Sequence, residues 1–307
     1  MLEIILIIIG FIFLIKGSDF LIDGAENIAR KLKISEFVIG LTLVAIGTSL
    51  PELIVSIESV TKGHDNLLIG NILGSCIYNV LLILGIIIVI KPIKVENKPS
   101  GNILLLIIST LIVGIFANYK QQISKTEGIL LLLIFIIFLL SAFSKKQKTK
   151  INLKGKSILK SMILIILGII LLKFGGEFVV DNSIKLAKKL NISESIIGLS
   201  VIALGTSLPE LVTSIVAIKK ETEDIAIGNI IGSNIFNLLL VLGTTSLIHS
   251  IKFANSYNGQ LIFLIIISIV LYIFNLFNNK QEAGKLEGII LLITFIVYNA
   301  KFVIVWM

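Results

Sequence analysis

Apolar runs of about 20 residues follow one another along almost the whole chain of 307 residues. A run of that length crosses the hydrocarbon core of a bilayer as one helix. Within lipid the backbone must satisfy its own hydrogen bonds, which leaves the helix as the available conformation for such runs. The fold class that follows is an all-α polytopic membrane protein. Composition agrees: 15% of the residues are charged, against about a quarter in soluble domains. No loop exceeds a couple of dozen residues, so little soluble mass can be accommodated. The N-terminal stretch MLEIILIIIGFIFLIKG lacks the basic start and small-residue cleavage site of a signal peptide and reads as a retained first span.

The chain uses one unit twice. Residues 6–79 align with 164–237 at a constant offset of 158 without gaps. GLTLVAIGTSLPE (40–52) and GLSVIALGTSLPE (198–210) share 9 of 13 residues, and GNILGSCIYN (70–79) and GNIIGSNIFN (228–237) share 7 of 10. Shared apolar composition would match isoleucine to leucine; it would not match Gly, Thr, Ser, Pro, Glu and Asn position by position. Approximate spans fall at 2–24, 35–61, 66–90, 101–118 and 126–143, then at 158–182, 193–218, 224–250, 257–277 and 286–306. The expected organisation is a first repeat over 1–143, a lysine-rich linker over 144–157 and a second repeat over 158–307. Five spans per copy is an odd number, so the copies enter the membrane from opposite sides. The fold expected is therefore ten transmembrane helices in two inverted five-helix repeats, an architecture of secondary transporters.

Lysine counting orients the molecule. The linker lysines place 144–157 in the cytoplasm and both termini outside, in a multi-pass protein of the cell membrane. Segments then assigned inside hold 17 Lys and Arg, those assigned outside 7. Lys185, Lys188 and Lys189 are the exception, because the second copy carries them to the other side; with Arg30, Lys31 and Lys33 they read as amphipathic helix ends at the interface. The net charge of +8 thus reports topology and gives no support for a nucleic-acid partner. The lipid bilayer is the expected partner, and no obligatory protein partner is evident. One cysteine, Cys76, excludes an intrachain disulfide, and two isolated histidines, His64 and His249, read as solvated helix-end residues.

The chemistry sits in the duplicated motif. Gly47, Thr48, Ser49 and Pro51 interrupt an apolar run, and Pro51 deprives the Gly47 carbonyl of its helical partner. Glu52 follows at once, and Glu210 repeats it. An unpaired carboxylate at mid-membrane costs a few kcal/mol or more. Lys16 and Lys173, near the ends of spans one and six, are the only cations well inside spans. Thr48 and Glu52 are four residues apart and share a helix face; so do Thr206 and Glu210. Asn71, Ser75 and Asn79 form a polar stripe on the next span, repeated as Asn229, Ser233 and Asn237. All of these side chains offer oxygen and none offers sulfur or imidazole, which suits Ca²⁺ or Na⁺ and excludes zinc and copper. Taken alone, Asn71, Ser49 or Ser207 reads as helix–helix hydrogen bonding. Gly70–Gly74 and Gly228–Gly232 have the spacing of close helix packing. Asp19, Glu177, Asp23 and Asp181 are repeat-related acids near the ends of spans one and six, either hydrogen-bonded helix ends or an ion entrance.

On GTSLPE and GN-x-x-GS-x-x-x-N, each present twice, the chain resembles the cation/calcium exchanger superfamily and, within it, the prokaryotic Na⁺/Ca²⁺ exchanger family. The resemblance covers essentially the whole chain. It implies an antiporter, not an enzyme, that exchanges Na⁺ for Ca²⁺ by alternating access and uses no cofactor. Spans two, three, seven and eight would form a central core, past which spans one and six slide. The resemblance makes Glu52 and Glu210 the main ligands of both ions. Thr48, Ser75 and the Ala45 carbonyl complete one sodium position; Thr206, Ser233 and the Ala203 carbonyl complete its mirror; Asn79 and Asn237 frame the middle. Some relatives carry aspartate in place of Asn237, and potassium-cotransporting relatives place an acid there. Two neutral asparagines argue for K⁺ independence and for a site of two negative charges, so that a three-for-one exchange would move net charge. An H⁺/Ca²⁺ exchanger of the same fold is the nearest alternative. A passive channel would not need inverted broken helices, an enzyme would need a nucleophile or base that is missing from the repeats, and a structural subunit would be burdened by the paired carboxylates.

Overall fold

The computed structural model describes residues 2–94, 100–144, 157–189, 203–277 and 282–306. Most of the expected linker, 145–156, and the first part of the expected seventh span, 193–202, lie outside the described residues.

Apolar sequence dictates long helices, and polar punctuation decides where they stop. α1 (Leu2–Leu32) runs past its apolar part because ENIARKL continues the helical pattern, with Glu26 paired to Arg30 one turn on. It ends where Lys33 turns left-handed at φ 59°. α2 (Glu36–Thr48) starts at Ser35, whose hydroxyl accepts the Val38 N–H at 3.2 Å. Ser49 (φ −90°, ψ 7°) breaks the run, and α3 (Leu50–Thr61) departs at 45° with Pro51 in its first turn, where a missing N–H costs nothing. α4 (Asp65–Ile90), β1 (Ile93–Lys94), α5 (Ser100–Tyr119), β2 (Gln122–Ile123) and α6 (Lys125–Ser144) complete the first half. The second half comprises α7 (Ile158–Lys189), α8 (Ala203–Thr206), α9 (Leu208–Lys219), α10 (Glu223–Ile248), β3 (Ile251–Lys252), α11 (Asn258–Phe277), β4 (Glu282–Ala283) and α12 (Lys285–Trp306).

Among the described residues, seven helices are long and apolar enough to cross a membrane, or eight with the bent α2–α3 pair taken as one span. The ten expected spans are not reached among these residues: the chain leading into α9 falls outside them, and α12 is not among the helices counted. α10 and α4 occupy the centre: 94% and 78% of their most apolar stretches are buried, against 22–39% for α1, α5, α6, α7 and α11. The outer helices turn Ile115, Ile137, Leu140, Ile166 and Ile296 outward, a surface made for lipid.

α1 and α7 run antiparallel along a seam of small residues. A Cβ at Gly17 would stand 2.8 Å from the Gly168 carbonyl oxygen, and one at Gly175 would stand 2.8 Å from that of Gly10. These two contacts exchange places when 158 is added to one partner and subtracted from the other. The same exchange relates several contacts in the site below. Gly228 and Gly232 pack as their spacing predicts: a Cβ at either would run into main chain, the Phe37 carbonyl oxygen at Gly228 and the Leu41 carbonyl oxygen at Gly232. Gly70 and Gly74 do not show this among the described residues, where Gly70 meets only Tyr257 and Gly74 meets nothing within 4 Å. The counterpart of the α2 stretch that packs on Gly228 lies around Gly198, outside the described set.

Contacts between connecting segments fall into two groups at opposite ends. β1 pairs with β4, Lys91 lies 2.5 Å from Glu223, and Asn27 donates to Ser161 at one end. β2 pairs with β3, the Lys252 N–H reaches Asp65 at 3.0 Å, and Lys189 lies 2.7 Å from Glu3 at the other.

Candidate ion site

Each GTSLPE motif ends one helix and starts another, and the glutamate falls in the first turn of the new one. Glu52 is 1% exposed at the start of α3, and Glu210 is fully buried at the start of α9. Both sit at a helix N-terminus, where unpaired N–H groups and the aligned peptide dipoles favour negative charge. They are near enough for the charge of Glu210 to act on Glu52. Lys16 and Lys173 turn outward, and Lys173 faces Glu177 at 3.8 Å. No lysine or arginine pairs with either buried carboxylate among the described residues.

Ser49 donates to Glu210 Oε1 at 2.8 Å. The second oxygen of Glu210 and Oε2 of Glu52 have no partner. Ser75 lies beside Glu52 and Ser233 beside Glu210, close enough to act on the carboxylates, yet neither hydroxyl meets a partner in hydrogen-bond geometry. The Ser207 hydroxyl, the equivalent of that of Ser49, has no partner among the described residues. Asn79 retains an unpartnered Oδ1, and Asn237 is unpartnered at both side-chain atoms. Buried polar atoms are normally satisfied; here a cluster of oxygens around two carboxylates is not. That donor set is hard oxygen throughout and fits a cation such as Ca²⁺ or Na⁺ carried as substrate. Among the described residues no three His, Cys, Asp or Glu come together as a metal-holding group, so the two glutamates are the only acids at this site.

A second layer of side chains is fully occupied with itself. Thr48 donates to Asn229 Oδ1 at 3.0 Å, and Asn229 donates to Ser214 at 3.2 Å. In the other copy Thr206 donates to Asn71 Oδ1 at 3.2 Å, and Asn71 donates to Ser56 at 3.5 Å. Asn71 and Asn229, expected at the site, thus orient the threonines. With its proton turned to Asn229, the Thr48 hydroxyl has a lone pair left for the site. The Ala45 carbonyl accepts from the Ser49 N–H at 3.0 Å, and the Thr48 hydroxyl oxygen lies 3.3 Å from it as an alternative donor. Ala203 opens α8, at the edge of the described residues.

Local backbone geometry shapes the site as well. π-helical turns occur at Gly40–Val44, Asn79–Ile83 and Phe236–Val241, so both Asn79 and Asn237 sit where the helix is underwound. Sequence reasoning missed these turns and missed Ser56, Ser214 and Asn234. The first two were legible as hydroxyls four residues after each glutamate. Asn234 has no counterpart in the first copy, where Cys76 stands, and so gave no repeat signal. Asp19 and Asp23 on α1 receive Lys220 from the end of α9, with Nζ 3.2 Å from Asp19 and 2.6 Å from Asp23. Glu177 and Asp181 on α7 are exposed.

Comparison with known proteins places the chain in a family. The family model described as sodium/calcium exchanger protein matches residues 2–144 and 160–303. An uncharacterised membrane protein of Methanocaldococcus jannaschii is 37% identical over 303 residues, with 96% of each chain covered. The sodium/calcium exchanger MaX1 of Methanosarcina acetivorans is 32% identical over 345 residues, again with 96% of each covered. A solved structure of the sodium–calcium exchanger NCX_Mj, soaked with Na⁺ and Sr²⁺, superposes with a TM-score of 0.86 at 35% identity, covering 97% of this chain and 98% of that one. The chain belongs to the sodium/calcium exchanger protein family and is a membrane transporter, not an enzyme.

Proposed function

We propose that the protein is an antiporter of the cell membrane that exchanges Na⁺ for Ca²⁺ at one site between Glu52 and Glu210. The observation that carries this reading is the pair of buried carboxylates without a fixed cation, surrounded by unpartnered oxygens of Ser75, Ser233, Ser207, Asn79 and Asn237. A charge so placed is costly in lipid, and a travelling ion is what offsets it. Ca²⁺ and several Na⁺ cannot occupy the carboxylates together, because like charges a few ångströms apart repel strongly at low dielectric. An empty site leaves two buried anions, which disfavours crossing unloaded. Mutual exclusion together with that penalty couples the two fluxes.

Two inverted five-helix repeats support alternating access, since contacts that exchange under the 158-residue offset allow the mirror-related arrangement. One Ca²⁺ neutralises two carboxylates, whereas three Na⁺ leave a positive charge. The exchange is therefore electrogenic, and the neutral Asn79 and Asn237 give K⁺ no added acid to bind.

The test is ⁴⁵Ca²⁺ uptake into proteoliposomes driven by an outward Na⁺ gradient. Wild type accumulates Ca²⁺, with or without K⁺, and Glu52→Gln and Glu210→Gln each abolish uptake. Near-normal exchange in both variants rejects the site. Uptake that follows a pH gradient and ignores Na⁺ replaces the reading with an H⁺/Ca²⁺ exchanger.

A further inference from the structure

We propose that Asn234 is a positioning residue that locks the Asn79 amide with its side-chain oxygen turned to the transported cation, and that Cys76, its equivalent in the other copy, leaves Asn237 unlocked. The proposal rests on the ion-site reading above.

The argument starts from a group with no choice. The main-chain carbonyl of Cys76 can only accept a hydrogen bond. Asn234 faces it at 3.2 Å, so the Asn234 end there must be the Nδ2 donor. The other end of that amide is then Oδ1, again an acceptor. Asn79 faces this oxygen at 2.9 Å and must present its own Nδ2. The remaining atom of Asn79 is Oδ1, and it has no partner. One carbonyl thus fixes two amides in sequence, and the last oxygen of the chain is the free one. Asn234 is fully buried and Asn79 is 1% exposed, so water does not compete for these bonds.

The opposite copy lacks the device. Residue 76 is the equivalent of residue 234, and a thiol replaces the amide. Cys76 Sγ reaches the Asn234 carbonyl at 3.8 Å, the mirror of the bond just described; the Asn237 side chain lies beside the same sulfur but makes no hydrogen bond of ordinary geometry with it. Both side-chain atoms of Asn237 are accordingly unpartnered. A free amide presents NH₂ to a cation as readily as oxygen, and must be turned before it can ligate. The two amides flanking the glutamates therefore differ: Asn79 is preset and Asn237 is adjustable.

The test is a cycle of variants in the same liposome assay, read as the Ca²⁺ concentration for half-maximal uptake. Asn234→Leu, close in volume, is expected to raise that concentration roughly tenfold, the worth of one neutral hydrogen bond, with the maximal rate retained. Asn79→Leu removes the oxygen itself. In that background Asn234→Leu should have no further effect on half-saturation. A full tenfold effect in both backgrounds makes Asn234 a packing residue and overturns the proposal. Cys76→Asn supplies the missing arm, and half-saturation should fall several-fold; an unchanged value overturns the claim for Asn237. Ca²⁺-dependent melting shifts of the purified proteins in detergent give the same comparison for variants that bind without transporting, and Asn234→Ser replaces the leucine variant if that one is not recovered. A wild type that shows no Na⁺-driven uptake would sink the exchanger reading itself, whereas a transporting wild type with additive variants sinks only the positioning role.

Discussion

Around the two glutamates some polar side chains are left unpartnered and others bond one another, and this division sets what substitution should do. Asn229 is fully buried and bonds Thr48 at 3.0 Å and Ser214 at 3.2 Å. Asn229→Leu takes the Asn229 partner from the buried Thr48 and Ser214 hydroxyls, a loss of about 1–3 kcal/mol, and frees the Thr48 hydroxyl to turn to the Ala45 carbonyl. Asn71→Leu should cost less, because Asn71 is only half-buried and its bonds are longer, at 3.2 and 3.5 Å. Melting temperatures in detergent decide the order; equal losses would show that bond length and burial do not govern it. The glutamates, threonines and serines were legible as letters repeated at one offset inside apolar sequence. Which of them coordinate and which orient was not legible. That depends on which hydroxyl proton is already committed, and partners such as Thr48 and Asn229 are 181 residues apart.

At the scale of elements, the α1–α7 seam is the tightest constraint outside the site. Gly17→Val or Gly168→Val forces a side chain against a carbonyl at under 3 Å, where only main chain could yield. The expected outcome is a loss of about 1–3 kcal/mol or more, seen as poor yield and a lowered melting temperature. Gly259→Ala in α11 meets nothing within 4 Å and should be neutral or stabilising; a comparable loss there would reject the seam as the cause. Apolar runs gave the helices their places, although the charged ends of α1 and α7 extend farther than the apolar criterion did. The seam also had a sequence signal, glycines seven apart at 10, 17 and 24 and at 168 and 175. Attention to four-residue spacing passed over it. The π-turns had none, since an extra residue per turn is decided by packing.

At the scale of the whole molecule, lysine asymmetry predicts which end faces the cytoplasm. The one cysteine is fully buried, so the background for thiol labelling is silent. Gln147→Cys in the linker should react with an impermeant maleimide only after cells are opened, and Lys120→Cys should react in intact cells; the reverse pattern inverts the molecule. Net charge movement should give a transient current when Na⁺ is added to Ca²⁺-loaded liposomes, because about 2.3 kcal/mol attends each charge crossing 100 mV. The duplication was readable from the letters alone, while the way the two copies clasp was not. Gly17 against Gly168, Thr48 against Asn229 and Asn79 against Asn234 each join one half to the other. Such a grip does not depend on the peptide bond between the halves. Fragments 1–150 and 151–307, translated as separate polypeptides in one cell, should find each other in the bilayer and restore Ca²⁺ uptake, with chain continuity serving delivery in equal numbers more than architecture.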